Sequence, residues 1–412
     1  MHRIPVTYSA IHFALYLATA IPAPAGPIAR DYEIGVEFFP SESRMTGHAI
    51  IRFDSSEPVR DSSVFYLHGE LRVDSILVDG ASIPFEERPV FYDFDYSLIG
   101  NEVRLPGLTG PETRIEIFYS GFFHPSKARS PSDYMRIDTN GVFLRAYGYS
   151  LWFPVFLPPG ADDAVTDFSR VTIRTPAEFN SVFVGTRTGE STADGHRTTA
   201  WTAKGVSLFA AQCTAQRYEV TAEGDYFLYH YPDSLSVAMA KTIMALASTL
   251  NSEYGSCYRK GRPGGQYFLL EMPQYGDISS GNVTGITYWI WQKFTEDENT
   301  QRALAHELVH PYTAVPVTRS DSLFALAVEG FPSYFHLPIL ARHLGDDFYN
   351  RFLGWMEKLY LDKRAGGTDR WGNAAPPEKA LLAISADELS TYKDEFVLSD
   401  RALLFLNYLY AR

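Results

Sequence analysis

Residues 303 to 311 read Ala303-Leu304-Ala305-His306-Glu307-Leu308-Val309-His310-Pro311. His306 to His310 fits H-E-x-x-H inside a stretch that reads as a helix over residues 300 to 310, and a four-residue spacing puts both imidazoles on one helix face. That geometry suits zinc. A catalytic zinc also needs a third protein ligand and an open position for water, and the third ligand must come from another element. Glu329 follows His310 after eighteen residues, room for a turn and a second helix, expected over about 323 to 342, to return alongside the first. The combined pattern is far more specific than the pentapeptide, whose plainer reading is two surface histidines flanking a Glu. The expected centre is one Zn2+ per chain, held by His306, His310 and Glu329. Zinc lowers the pKa of bound water toward about 7 and polarises a scissile carbonyl. Glu307, beside His306, reaches that water as general base and passes its proton to a leaving amine. Amide hydrolysis is the natural reaction class. Pro311 complicates the helix, because its ring clashes with the carbonyl of Glu307 and disfavours helical geometry at His310. The helix is expected to end or kink there, and Pro332 poses a similar problem three residues past Glu329.

Working outward, Leu235 to Tyr254 is rich in Ala, Met and Leu without proline and reads as a helix. Gln266 to Met272 and Ile286 to Trp291 read as strands. From about Asp31 to Val220 the pattern is different: short alternating or β-branched runs, such as Tyr32 to Phe38, His48 to Phe53, Ser75 to Val78 before Asp79-Gly80, and Arg114 to Tyr119. Period-two runs spaced this way argue for antiparallel sheets. The expected organisation is an all-β domain over residues 26–220 and a mixed, mainly helical catalytic domain over 221–412. No repeat or long linker separates them, so the two halves are expected to pack directly.

The chain has 412 residues, 45% hydrophobic and 21% charged. This balance excludes a disordered chain, a collagen-like fibre and a disulfide-stapled miniature. Lys plus Arg number 36 against 49 Asp plus Glu, a net charge of -13 with no basic run, which argues against nucleic acid as a partner. Cys213 and Cys257 lie too far apart in sequence for a CxxC motif and allow either one disulfide or two thiols. His2 and Arg3, an apolar stretch from Ala10 to Ile21, and Ala23-Pro24-Ala25 before Gly26 have the layout of a secretory signal over residues 1–25; the alternative is a disordered leader. The mature protein is then expected outside the cytoplasm, secreted or periplasmic, with no membrane span, since no other segment approaches 18 apolar residues. Ser399 to Arg412 has helix-like composition and stops two residues after Tyr410, as in a short relative of its family or a fragment.

These residues resemble the gluzincin metallopeptidases of the aminopeptidase N type. Ala303-Leu304-Ala305 before the motif, Glu329-Gly330-Phe331 with Ser333-Tyr334 after it, and Ile286-Thr287-Tyr288 upstream all stand where the family has its counterparts. Leu67-His68-Gly69 and Val78-Asp79-Gly80 look like its β domain. The resemblance spans roughly residues 31 to 400 and is most specific between 268 and 334. It implies a multidomain β plus α/β fold: a saddle- or sandwich-like antiparallel β domain followed by a thermolysin-like, mainly helical zinc peptidase domain, acting on peptide or protein substrates. The family's helical C-terminal domain, which covers the cleft, has no counterpart within this length, so a short or truncated member with an open site is expected.

Two positions depart from the family. Its Gly-x-Met-Glu-Asn motif, whose Glu binds the substrate's free amine, counts onto Ile278 to Asn282. Asn282 is kept, but the Glu is replaced by Gly281, which cannot pair with an ammonium. The family's oxyanion tyrosine falls on Tyr392 by distance from Glu329, whereas aligning the following helix on Arg401 to Leu404 puts Ser399 there. Three readings therefore stand: a zinc peptidase with altered recognition of the substrate N-terminus, a catalytically weak or inactive binding module on the same fold, and an endopeptidase with an open cleft. The Asn282-Val283-Thr284 sequon reads as coincidence. Tyr275 and Tyr288 are candidates for a substrate pocket. The other histidines, including His196, His230, His336 and His343, lack ligand spacing and read as surface or core residues; for His336, seven residues past Glu329, a role behind the ligands is the minor alternative.

Overall fold

Alternation builds the first strand: Tyr32, Ile34, Val36 and Phe38 are buried, while Asp31, Glu33, Gly35 and Glu37 between them are partly exposed. One face of such a strand must find a core. The computed structural model describes residues 29–53, 62–92, 98–106, 113–123, 134–145, 151–156, 165–208, 211–258, 267–271, 285–288, 298–313 and 331–364. The first strands are β1 (Ala29–Phe39), β2 (Arg44–Phe53), β3 (Ser62–His68), β4 (Leu71–Val78), β5 (Ala81–Ser82) and β6 (Glu86–Tyr92). They are followed by β7 (Leu98–Pro106), β8 (Arg114–Phe122), β9 (Tyr134–Asp138), β10 (Gly141–Arg145), β11 (Val155–Phe156) and β12 (Val165–Pro176). The next six are β13 (Asn180–Phe183), β14 (Thr186–Ala193), β15 (His196–Ser207), β16 (Cys213–Gln216), β17 (Glu219–Glu223) and β18 (Tyr226–His230).

Three sheets arise from β1 to β16. The largest has eight strands in the order β14-β15-β12-β1-β2-β8-β4-β5, and two four-stranded sheets have the orders β13-β16-β10-β9 and β11-β3-β7-β6. Asp79-Gly80 and Asp194-Gly195 turn two of the hairpins, with φ of 49° and 83° in one and 51° and 73° in the other. Both residues of such a two-residue turn need the left-handed region, which Asp tolerates and Gly adopts freely. The expectation of purely antiparallel sheets is corrected at β1, which pairs with β2 antiparallel but with β12 parallel. The chain leaves β1 and returns to it only at β12, so no hairpin imposes an antiparallel direction. Period-two burial is the same for either direction. Between the sheets lies an aromatic core in which Trp152, Phe153, Phe168 and Phe183 meet edge to face.

The second half adds helix α1 (Ser234–Tyr258), β19 (Tyr267–Glu271), β20 (Gly285–Tyr288), α2 (Glu298–Thr313), α3 (Phe331–Leu344) and α4 (Asp346–Arg364). Asp233 starts α1 by accepting the Ser236 backbone N–H at 2.9 Å, an N-cap. The α4 helix was not anticipated from the sequence; Gly345, at φ 91°, separates it from α3. A fourth sheet runs β17-β18-β19-β20, with β18, β19 and β20 parallel. Its two faces serve two cores. Tyr229, Phe268 and Leu270 join the core of the β sheets, whereas Tyr226, Leu228 and Leu269 join the core built by the helices. Among the described residues no helix is long and apolar enough to cross a membrane. The apolar leader and the Ser399 to Arg412 segment lie outside the described residues.

Cys213 is a free thiol buried in the first core. A disulfide to Cys257 therefore does not form: Cys257 belongs to α1, which packs in the second core.

Polar contacts at the junction converge on Glu271 at the end of β19. The Tyr231 backbone N–H donates to one carboxyl oxygen at 2.7 Å, and the Ser236 hydroxyl lies 2.9 Å from the other. Ser236 Oγ also lies 2.7 Å from Asp233 Oδ2, and its single hydrogen satisfies only one of the two carboxylates. Burial pushes the Glu271 carboxyl up to about 7, against the hydrogen bonds that favour its ionised form, and the negative charge of Asp233 adds to the rise. A carboxyl with a raised folded pKa is disfavoured as pH climbs, because the unfolded chain ionises first. Stability contributed by protonated Glu271 is full below about 4.5 and lost as pH rises to about 7. Glu271→Gln lacks this titration, so the melting temperature of Glu271→Gln minus that of the native protein should increase between pH 5 and pH 8. A constant difference across that range would contradict the assignment.

Candidate metal centre

Helix α2 carries a broad apolar face formed by Leu304, Ala305, Leu308, Val309 and Tyr312, all buried in the second core. That core also includes Ile243, Met244, Ala247 and Leu250 of α1 and Leu337, Ile339 and Leu340 of α3. Burial of this face orients the rest of the helix. Tyr254, fully buried on α1, donates its hydroxyl to the Ala305 carbonyl at 2.8 Å, one residue before His306. The arrangement places His306, Glu307 and His310 together, with ligand-type atoms all within 4.8 Å of one another.

The ring nitrogens of His306 and His310 face each other, Nε2 to Nε2, at 3.1 Å. Two nitrogens on a tetrahedral zinc at about 2.0–2.1 Å lie about 3.3 Å apart, so this donor pair fits the ion. The rings meet edge to face, with centroids 4.8 Å apart. Glu307 Oε2 stands 3.8 Å from His310 Nε2. His306 and Glu307 are buried and His310 is partly exposed, so one side of the pair opens outward. Two imidazoles with a carboxylate beside them can hold a divalent cation and move a proton at the same place.

Behind His306, α3 presents two side chains. Ser333 Oγ is 3.4 Å from His306 Nδ1, the nitrogen that faces away from His310. His336 is fully buried, its ring edge-on to His306 with centroids 5.3 Å apart. Its Nδ1 lies 2.8 Å from the Pro332 carbonyl oxygen. Burial first, then the neighbouring His306 and Arg302, hold His336 well below the ordinary histidine range, so the ring is neutral. The signal for these two residues was present in the sequence as an i, i+3 pair on one helix face. It became legible only once α3 was known to pack beside α2 with that face inward.

Helix α2 continues through Pro311 to Thr313, so it does not end at His310. Pro332 is the second residue of the described part of α3. Of the residues expected to form the site, the structure brings together His306, Glu307 and His310. Glu329, Gly281, Asn282, Tyr392 and the alternative Ser399 lie outside the described residues, as does Tyr275.

No protein-family model matches the sequence, and no curated protein matches it. Solved structures do share its fold. An M1 zinc metallopeptidase from Deinococcus radiodurans superposes with a TM-score of 0.61 at 17% identity, over 94% of this chain and 84% of that one. A substituted form from the same organism with a Tyr-Ser-Ala substrate bound gives 0.60 at 18% identity, with the same coverage. A two-domain M1 zinc metallopeptidase variant bound to L-tryptophan gives 0.62 at 18%, again over 94% and 84%. At such identity the likeness is one of fold.

The α1 to α2 contact can be tested alone. Tyr254→Phe removes the bond to the Ala305 carbonyl but keeps the ring, and should cost about 1 kcal/mol of stability, the usual net worth of such a bond, in urea denaturation of the metal-free protein. No measurable change would mean that apolar packing alone places the helix.

Proposed function

We propose that the protein is a zinc-dependent peptidase of the aminopeptidase N type. The observation that carries this reading is the 3.1 Å approach of the His306 and His310 Nε2 atoms with the Glu307 carboxylate beside them. The shared fold with M1 zinc metallopeptidases, one of them holding a tripeptide substrate, supports it. The proposed ligands are His306, His310 and Glu329, with one Zn2+ per chain. When bound there, the ion supplies Lewis acidity and makes water acidic enough to react near neutral pH. Glu307 accepts the proton of the attacking water and delivers it to the leaving amine nitrogen, while its own burial excludes bulk water from the transfer. His306 and His310 offer the ion their Nε2 lone pairs.

The finer assignments are proposals of the same reading. Tyr392 is the proposed oxyanion donor, with Ser399 as the alternative registration. Gly281 in place of a carboxylate, beside the retained Asn282, favours relaxed recognition of the substrate amine over strict aminopeptidase action. The domain division near residue 220 and a thermolysin-like second domain fit this reading. So does a secreted or periplasmic location, on the basis of the leader pattern in residues 1–25.

Metal analysis of the purified protein should find one zinc per chain, with loss of tight binding in His310→Ala and Glu329→Ala. Glu307→Gln should keep the metal and lose at least 10²- to 10⁴-fold in kcat, the range of a general base. Zinc uptake with no turnover on a peptide library, unchanged by Glu307→Gln, would leave a binding module instead. Blocked and free peptides, cleaved side by side, should differ by less than tenfold in kcat/KM if Gly281 has removed the amine anchor. A strong preference for the free amine would restore strict aminopeptidase specificity and point to another anionic group.

A further inference from the structure

We propose that His336 is a positioning residue for the metal ligand His306, and that in the zinc-loaded protein its Nε2 accepts a hydrogen bond from His306 Nδ1–H. Three observations support this role. The Pro332 carbonyl is only an acceptor, so His336 Nδ1, 2.8 Å away, must carry the hydrogen and donate it. A second N–H on this fully buried ring would be a charge with no described partner, so the remaining nitrogen, Nε2, is a lone pair. Among the described residues that atom is buried and has no hydrogen-bond partner, an arrangement folded proteins rarely tolerate without a use. The ring holding it lies edge-on to His306, with centroids 5.3 Å apart at 85°.

The demand comes from the ligand. A histidine that binds a metal through Nε2 keeps its hydrogen on Nδ1, and that N–H needs an acceptor to hold the ring in register and raise its basicity. His306 directs Nε2 at His310 and Nδ1 toward α3. There the Ser333 hydroxyl lies at 3.4 Å, a long hydrogen bond, and His336 offers the unused lone pair. His336 is not among the groups that converge at the centre itself, so it stands behind His306 and does not compete for the ion. The acceptor is a neutral imidazole, which holds His306 without adding negative charge behind it. The metal-bound site then keeps more of its positive charge than it would with a carboxylate at the same place.

The inference rests on the zinc reading, and the two fail separately. His336→Leu keeps apolar volume and removes the acceptor; His336→Gln keeps an acceptor oxygen. Zinc affinity measured against a competing chelator should fall about 10- to 100-fold in His336→Leu, the usual effect of losing such a support, and recover in His336→Gln. Ser333→Ala should lose less than His336→Leu. The visible spectrum of the Co2+-substituted protein should shift in His336→Leu and return toward native in His336→Gln, which a merely structural role would not produce. In the native zinc-loaded protein with 15N-labelled histidine, a through-hydrogen-bond coupling should join His306 Nδ1 to His336 Nε2, and this measurement stands even if His336→Leu does not fold. Native zinc affinity and an unshifted Co2+ spectrum in His336→Leu, the whole loss appearing in Ser333→Ala, or absence of that coupling would overturn the role of His336 while leaving a zinc protein. Failure of the native chain to bind zinc would overturn both.

Discussion

Everything at the centre depends on the burial of one face of helix α2. Leu304, Leu308 and Val309 are held between α1 and α3, and each such side chain contributes about 1.5–3 kcal/mol when fully buried. The polar contacts around His306 are each worth about 1 kcal/mol or less. Packing therefore sets the rotation of the helix, and the polar residues take the positions that rotation leaves them. His306 and His310 face one another because their spacing is one helical turn and the apolar residues between them point elsewhere.

The layer beneath explains how the two halves of the chain meet. Alternate residues of β18 and β19 enter different cores, so the fourth sheet belongs to both. Trp201 of the large sheet packs edge-on against Phe268 of β19 at 5.3 Å, and the Tyr218 hydroxyl donates to the Glu271 carbonyl at 2.6 Å. Glu271 sits where this junction runs into the start of α1. A carboxyl in that place is tolerated because two donors reach it, but its raised pKa records that burial outweighs them. A shared sheet also accounts for the absence of any linker-like stretch between the halves.

Much of this was legible from residue order. The period-two runs of the first half became strands, Asp79-Gly80 became a hairpin turn, and the helices expected over Leu235 to Tyr254 and residues 300 to 310 are present and slightly longer. What was missed has physical causes. Strand direction is invisible to periodicity, so the parallel pairing of β1 with β12 could be learned only from the fold. Proline disfavours a helix interior without forbidding it, so the expected end at His310 did not follow, and the described helix runs on through Pro311. That Cys213 is a free thiol buried in the first core could be learned only from the fold, since spacing does not show where a thiol packs.

The chemistry of the centre was written locally: two imidazoles and a carboxylate within five residues of one helix share a face whatever the rest of the chain does, because the helix repeat is a property of the backbone. That much the amino-acid order determined alone. Which side of His306 has support, and from which residue, was decided only when α3 packed beside α2 and brought Ser333 and His336 behind the ring, 27 and 30 residues away in sequence. Contacts between elements depend on how whole apolar faces fit together, and that fit is a property of the assembled core that no short segment contains.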